Sequence, residues 1–432
     1  SKNTIFSKIR SGEILTLDEI ISYTMIHDIN EIEQGASMTI LMYACVVGNV
    51  QAVSMLIDAG ADVNKVTTDG TTALILSCKN VSLSQTDIVT ILLDRGAEIN
   101  HADNIGMTAL MWALFGQHVP GKGKLGQQPL MDVLANYGAD FRMTNLYGET
   151  PLIMLSRIPL GLLLPTPIEA RNAVKFFIDH GSNVNHTDNT DRTALMNACY
   201  SGCIDFISSL LNHGANINKK NYRGETALTI STCLGNVNQV IILLYMPRQH
   251  YSHYFQVRRD IKIDHEVNGW TALMLACTYA SNAQEKAKQA EEEEVVYQPG
   301  VESEREMEKK YLQIARILIQ RGADVNKAIL DGRMALMGAC KSGYTKLVTI
   351  MILNRANVNF TDTDGWTPLM VSCQYGREEI ISILLKRDIN IEQKNTKGET
   401  ALLIALEYNH LEIASMLIKR GANVNHADNY GE

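Results

Sequence analysis

The stretch that decides the fold of this chain is Asp364-Gly365-Trp366-Thr367-Pro368-Leu369-Met370. An Asp-Gly turn signal precedes a Thr whose hydroxyl can satisfy free amides at a helix start. Pro then stands in the first helical turn, where a missing N–H costs nothing, and an apolar run follows. The same order returns along the chain. Taking the residue two positions before the cap as landmark gives Ser37, Gly70, Gly106, Gly148, Asp191, Gly224, Gly269, Gly332, Gly365, Gly398 and Gly431, at steps of 33, 36, 42, 43, 33, 45, 63, 33, 33 and 33 residues. The longer steps exceed 33 by 3, 9, 10, 12 and 30, so the register survives each insertion. That is the mark of a 33-residue repeat carrying decorations.

Local chemistry supports the same unit. Thr72, Thr108, Thr150, Thr193, Thr226, Thr271, Thr367 and Thr400 each stand just before a short apolar stretch, and Pro151 and Pro368 occupy first helical turns. Seven second helices are predicted to end in Gly, at Gly60, Gly96, Gly138, Gly181, Gly214, Gly322 and Gly421, as a left-handed cap requires. Two short helices and a turn make each unit. None could bury its apolar face alone, so stability must come from stacking on neighbours.

The opening at 364–370 with Leu384-Leu385, and the closing run Arg420-Gly421-Ala422-Asn423-Val424-Asn425, resemble the ankyrin repeat. The likeness covers about residues 37–432. It implies an all-α solenoid of about ten helix-turn-helix repeats with short β-hairpin fingers. Residues 1–36 follow the ankyrin order loosely, through Ile5, Phe6, Ile9, Ile20, Ile21 and Asp28-Ile29-Asn30, and read as a degenerate N-terminal capping repeat. Repeats 1–6 then occupy 37–245, and repeats 7–10 occupy 264–432. Asp428-Asn429-Tyr430-Gly431-Glu432 opens a further repeat, which leads us to expect that the natural protein continues. Between the two blocks, residues 246–263 place Tyr251, Tyr254 and Phe255 beside Arg248, Arg258, Arg259 and Lys262, and form a candidate joint.

The chain also departs from the family pattern. Where the family usually has His, it carries Met42, Ile75, Met111, Ile153, Met196, Thr229, Met274, Met337, Met370 and Leu403. We therefore expect adaptable packing there in place of inter-repeat hydrogen bonds. Cys45, Cys78, Cys199, Cys277, Cys340 and Cys373 replace the family's Ala and read as small buried hydrophobes, too far apart to bond. Sparse cysteine predicts a reducing, intracellular and cytoplasmic location.

Other function classes find little support. A net charge of -8 gives no electrostatic reason to expect nucleic acid, although the aromatic and basic mix at 246–263 could grip an acidic peptide or RNA. The best apolar run, Leu160 to Leu164, is far too short to span a bilayer and is hemmed by Pro159 and Pro165. No signal peptide is visible from Ser1 onward. We find no Gly-x-Ser-x-Gly, Walker-type Gly-Lys-Ser/Thr or strand-linked Gly-x-Gly-x-x-Gly, and Gly121-Lys122-Gly123-Lys124 reads as a loop. His250, His253 and His265 lack acidic or thiol ligands at fixed spacing. The expectation is a non-enzymatic chain with no cofactor and no metal.

What remains is binding. Ten stacked units spaced by a helix-helix distance would make an arc on the order of 100 Å. The resemblance implies that partners touch the turn tips and first-helix ends along a concave surface. The tips offer Ile105, Met107, Tyr147, Tyr222, Arg223, Trp270 and Trp366; the first-helix ends offer Tyr200, Tyr279, Tyr375 and Tyr408. Aromatics and Arg often dominate interfaces, and the opposing reading is packing between neighbouring fingers. Trp112 reads as core. Residues 281–310 are acidic, with Glu285, Glu291 to Glu294, Glu302, Glu304, Glu306 and Glu308, and read as a flexible or frayed-helical excursion that is either a spacer or a dock for a basic partner. Arg157 to Asn172 could plug a partner or fold back over the groove.

The leading expectation is a scaffold or adaptor that holds a protein partner through the concave surface and inserted loops. The alternative is a regulatory or targeting segment of a larger enzyme or channel. A third reading makes the array a substrate for asparagine hydroxylation, since Leu56/Asp62/Asn64, Leu92/Glu98/Asn100 and Leu318/Asp324/Asn326 resemble acceptor spacings of the family.

Overall fold

Why the repeat folds as it does is visible at its threonines. Thr150, Thr193, Thr226, Thr367 and Thr400 hold extended backbone, and each hydroxyl accepts the amide of the residue three positions on. Thr72, Thr108 and Thr271 do the same for Ile75, Met111 and Met274 at 3.3 Å. Met334 stands in this place in one repeat and caps nothing with its side chain.

The computed structural model describes residues 7–8, 11, 16–32, 38–79, 85–115, 128–158, 167–245, 261–292, 302–329, 331–427 and 429. They gather into two compact units, Ser1–Asn216 and Ile217–Glu432. The first unit runs through helices Leu17–Thr24, Ile40–Val47, Val50–Asp58, Ala73–Lys79, Gln85–Asp94, Ala109–Phe115, Gln128–Asn136, Pro151–Arg157, Pro167–Asp179, Ala194–Ser201 and Ile204–Asn212. The second runs through Ala227–Cys233, Val237–Tyr245, Ala272–Glu292, Glu304–Gln320, Ala335–Ser342, Thr345–Leu353, Pro368–Gln374, Glu378–Leu384, Ala401–Glu407 and Leu411–Lys419. Each unit is a stack of such pairs, and the fold is all-α. Among the described residues, strand character is confined to isolated bridges at the finger bases, such as Val66 with Thr72 and Ala102 with Thr108.

The interior is filled as the period predicts. Leu74, Met111, Met196, Leu336, Met370 and Ile404 are buried, and so are all six cysteines at the Ala position. Burial pushes the Cys45 and Cys340 thiols up to about 12, so neither ionises at neutral pH. The predicted glycine caps hold left-handed backbone, with φ of 95° at Gly60 and 101° at Gly421.

Two ladders tie neighbouring repeats together. In the first, an Asn at the foot of one repeat accepts the next repeat's amide and donates to its glycine or equivalent carbonyl. Asn64 accepts from Glu98 at 2.8 Å and donates to Gly96 at 3.0 Å; Asn100, Asn185, Asn326 and Asn359 repeat the pattern. Asn30 accepts the Asp62 amide at 2.7 Å, so Asn30 stands in the same register as the later asparagines.

In the second ladder, the ring Nε2 of His101, His186, His265 and His426 lies 2.8 to 3.1 Å from the carbonyl of Gly70, Gly148, Gly224 and Gly398, the finger glycine one repeat back. At the position where the family has His, Met42, Ile75, Met111, Ile153, Met196, Met274, Met337 and Met370 are buried, while inter-repeat hydrogen bonds are made by these histidines at another position.

The 281–310 excursion also differs from expectation over its described part. Ala272–Glu292 and Glu304–Gln320 are continuous helices of 21 and 17 residues, which lengthen both arms of one repeat. Ser303 caps the second arm in a reciprocal capping box with Glu306. Ala280, Ala283 and Ala287 bury one stripe of the first arm, and a stripe at helical spacing is what a packed helix requires. On the second arm, Tyr311 is buried, stacks on Tyr279 at 5.1 Å and donates its hydroxyl to the Cys233 carbonyl at 2.8 Å. Residues 246–260, most of the candidate joint, and 159–166, the centre of the proline-rich loop, lie outside the described residues.

Candidate protein-binding surface

Six fingers are each built by one short polar side chain. Asp103, Asn145, Asp188, Asn221, Asp362 and Asn395 accept, through Oδ1, the amides two and four residues on, at 2.8 to 3.1 Å. In several fingers the glycine that closes the turn is left-handed and has no room for a side chain. At Gly365 φ is 78°, and a Cβ would sit 2.9 Å from the Cα of Asn395 in the next finger. Fingers therefore lie against one another. Asn104, Leu146 and Asn189 donate their amides to the carbonyls of Asp69, Ile105 and Tyr147, at 2.9 to 3.0 Å. Asn104 and Asn189 reinforce this by donating side-chain amides to Thr68 and Leu146. In the second unit, Thr363 and Thr396 donate to Asp331 and Asp364 in the same way.

Against this frame the candidate residues sort clearly. At the tips, Ile105, Tyr147, Tyr222 and Arg223 are exposed, Tyr147 by 65%, whereas Trp270 and Trp366 are half-buried. Met107 is not presented. It is 4% exposed, because the residue after the finger glycine turns its side chain inward while its amide bonds Asp103. Tyr200, Tyr375 and Tyr408 are exposed at first-helix ends, whereas Tyr279, expected at such an end, lies inside the continuous helix Ala272–Glu292, because that helix runs on past the usual length of the repeat.

Several of these rings are held by their own chain. Arg192 lies 5.1 Å from the Tyr200 centroid, Lys341 lies 5.4 Å from Tyr375, and Gln374 donates to the Tyr408 hydroxyl at 3.0 Å. Arg223 donates to its neighbour Tyr222 at 2.7 Å. Tyr279 is committed to Tyr311, and burial raises its pKa. Trp112, expected in the core, is half-buried; its indole N–H donates to Asp103 at 2.8 Å and Lys79 covers the ring at 4.1 Å.

Sequence reading passed over Leu146, which is 65% exposed beside Tyr147. The signal was present: in neighbouring fingers its place is taken by the polar Thr68, Asn104 and Asn189.

The asparagines considered as hydroxylation acceptors, Asn64, Asn100 and Asn326, all have both amide ends engaged in the inter-repeat ladder. Among the described residues no group of three or more His, Cys, Asp or Glu could hold a metal ion. No described helix is long and apolar enough to cross a membrane.

Comparison with known proteins agrees with the repeat geometry. The family model described as ankyrin repeats (3 copies) matches residues 11–103, 41–121, 168–254 and 336–428, more than half of the chain. This chain belongs to the ankyrin repeat family, whose repeats mediate protein–protein interaction. Among solved structures it is similar to the ankyrin repeat domain of Bcl-3, a member of the IkappaB protein family, at 18% identity and a TM-score of 0.47, over 62% of this chain and 99% of that one. No curated protein matches.

Proposed function

We propose that the chain is a non-enzymatic scaffold that holds a protein partner across its finger tips and first-helix ends. The observation that carries this reading is the exposure of Ile105, Leu146, Tyr147 and Tyr222 at the tips, and of Tyr200, Tyr375 and Tyr408 at the helix ends, with the main chain at Ile105, Leu146 and Tyr147 already hydrogen-bonded from finger to finger. Large apolar side chains on a rigid frame lose little entropy on docking, which is what a binding surface needs. Fold membership alone specifies no partner.

The test uses the whole chain immobilised for affinity capture. Tyr147→Ser with Tyr375→Ser should abolish capture of a partner while thermal unfolding stays unchanged. Leu353→Ser, at the last residue of the second helix Thr345–Leu353 and also exposed, serves as the control and should leave capture intact. Equal capture by all three proteins would overturn the reading.

A further inference from the structure

The first unit presents a row of side chains, one from each finger, whose order has a chemical meaning. The amides of Asn104, Leu146 and Asn189 bond the carbonyls of Asp69, Ile105 and Tyr147, so Asp69, Ile105, Tyr147 and Thr190 occupy corresponding places in four successive fingers. Leu146 lies beside Ile105 through its amide, at 3.0 Å. The centre of the row is therefore apolar, with Ile105, Leu146 and Tyr147 all exposed. At one end stands Asp69, exposed, with the Thr67 hydroxyl holding its carboxyl below the usual range. At the other end Asp191, also exposed, replaces the usual finger glycine at φ 57°.

The nearby cations are turned to other tasks. Lys79 covers Trp112, Arg192 lies over Tyr200, and Arg142 is paired with Asp140 at 2.9 Å. Between Asp69 and Asp191 the exposed tip residues, Thr68, Asn104, Ile105, Leu146, Tyr147, Asn189 and Thr190, include no positive charge.

The backbone of these tips has little left to offer a visitor. The amides of Ile105, Tyr147 and Thr190 are taken by Asp103, Asn145 and Asp188, and the carbonyls of Asp69, Ile105 and Tyr147 by the next finger. Strand addition, which needs unpaired main-chain groups, is closed here. Recognition must come from side chains.

We propose, resting on the scaffold reading above, that this row binds an extended protein segment with aliphatic or aromatic residues at its centre and Lys or Arg at both flanks. Apolar burial on Ile105, Leu146 and Tyr147 supplies affinity, and Asp69 and Asp191 set the position and select the charge. Three steps at a helix-helix spacing of about 10 Å span roughly 30 Å, which takes about nine residues of extended chain. An acidic segment meets like charge at both ends of the row.

Fluorescence polarisation with three short labelled peptides on the whole chain tests this. One has a Leu/Phe centre with Lys flanks, the second has the same centre with Glu flanks, and the third has a Gly/Ser centre with Lys flanks. The first should bind at least about tenfold more tightly than either of the others, and less so in high salt. Leu146→Ser with Tyr147→Ser should weaken it by about tenfold or more. Asp69→Asn with Asp191→Asn should bring the Lys-flanked and Glu-flanked peptides to within about twofold of each other. All four side chains are exposed, and a circular dichroism melt confirms that each variant folds. Equal binding of the three peptides, no binding of the first, or affinity indifferent to the variants overturns the proposal. If partner capture still depends on Tyr147 and Tyr375 while the peptides fail to discriminate, the scaffold reading stands and this one falls. If capture depends on neither residue, the scaffold reading falls as well.

Discussion

At the scale of the residue, stability is carried by small polar groups in repeated places. Replacing Thr367 by Ala removes the hydroxyl that accepts the Met370 amide and should cost about 1 kcal/mol in urea unfolding. Asn326→Ala leaves the Asn357 amide and the Arg355 carbonyl without their bridge, and should cost about 1–2 kcal/mol by the same measurement.

His265 introduces a pH dependence whose sign is fixed. Burial lowers its pKa below the ordinary 6.5, so the unfolded chain takes up a proton more readily than the folded one. Its contribution to stability is intact above pH 6.5 and is lost as the pH falls through the folded value. A melting curve taken on acidification should therefore drop less steeply for His265→Gln than for the parent chain.

Thiol chemistry should follow burial in the same way. Of the eight cysteines, Cys203 and Cys233 are half-buried and the other six are buried, so an aromatic disulfide reagent should titrate these two first and reach the rest only on unfolding.

Elements show where sequence reading succeeded and where it stopped. Thr caps, glycine caps and the apolar face were legible because each is a local necessity, decided within one turn of helix. The side-chain direction of Met107 was not, since its spacing from the finger glycine says nothing of which way the returning chain faces. The same limit hid the histidine ladder. His101 and His186 follow the Asn-rich foot of a repeat, and only the neighbouring repeat supplies the carbonyl they meet.

Composition misdirected the reading of 281–310. Its charges suggested a solvated excursion, while Ala280, Ala283, Ala287 and Tyr311 supply the buried stripe that extends two helices. Tyr311→Ala removes a buried ring and a hydrogen bond together and should cost about 3 kcal/mol. Tyr311→Phe, losing only the bond to Cys233, should cost about 1 kcal/mol.

At the scale of the molecule, each of the two units is a series in which every repeat leans on the next, so local order reflects the neighbours more than the repeat itself. Amides at the finger tips test this. Although Asn104 and Leu146 stand on turns at the surface, their N–H groups bond across fingers, and hydrogen exchange on the whole chain should find them protected well beyond ordinary loop amides. Exchange at loop rates would show that the row of tips is not a rigid platform.

The asparagine bridge has one further consequence. Because its hook and eye are the same at Asn64, Asn100, Asn185, Asn326 and Asn359, whatever lies between two hooks can grow without disturbing them. A copied block of thirty-three residues would find both its edges already matched, so a gene for such a chain can lengthen by duplication while every older join keeps its fit.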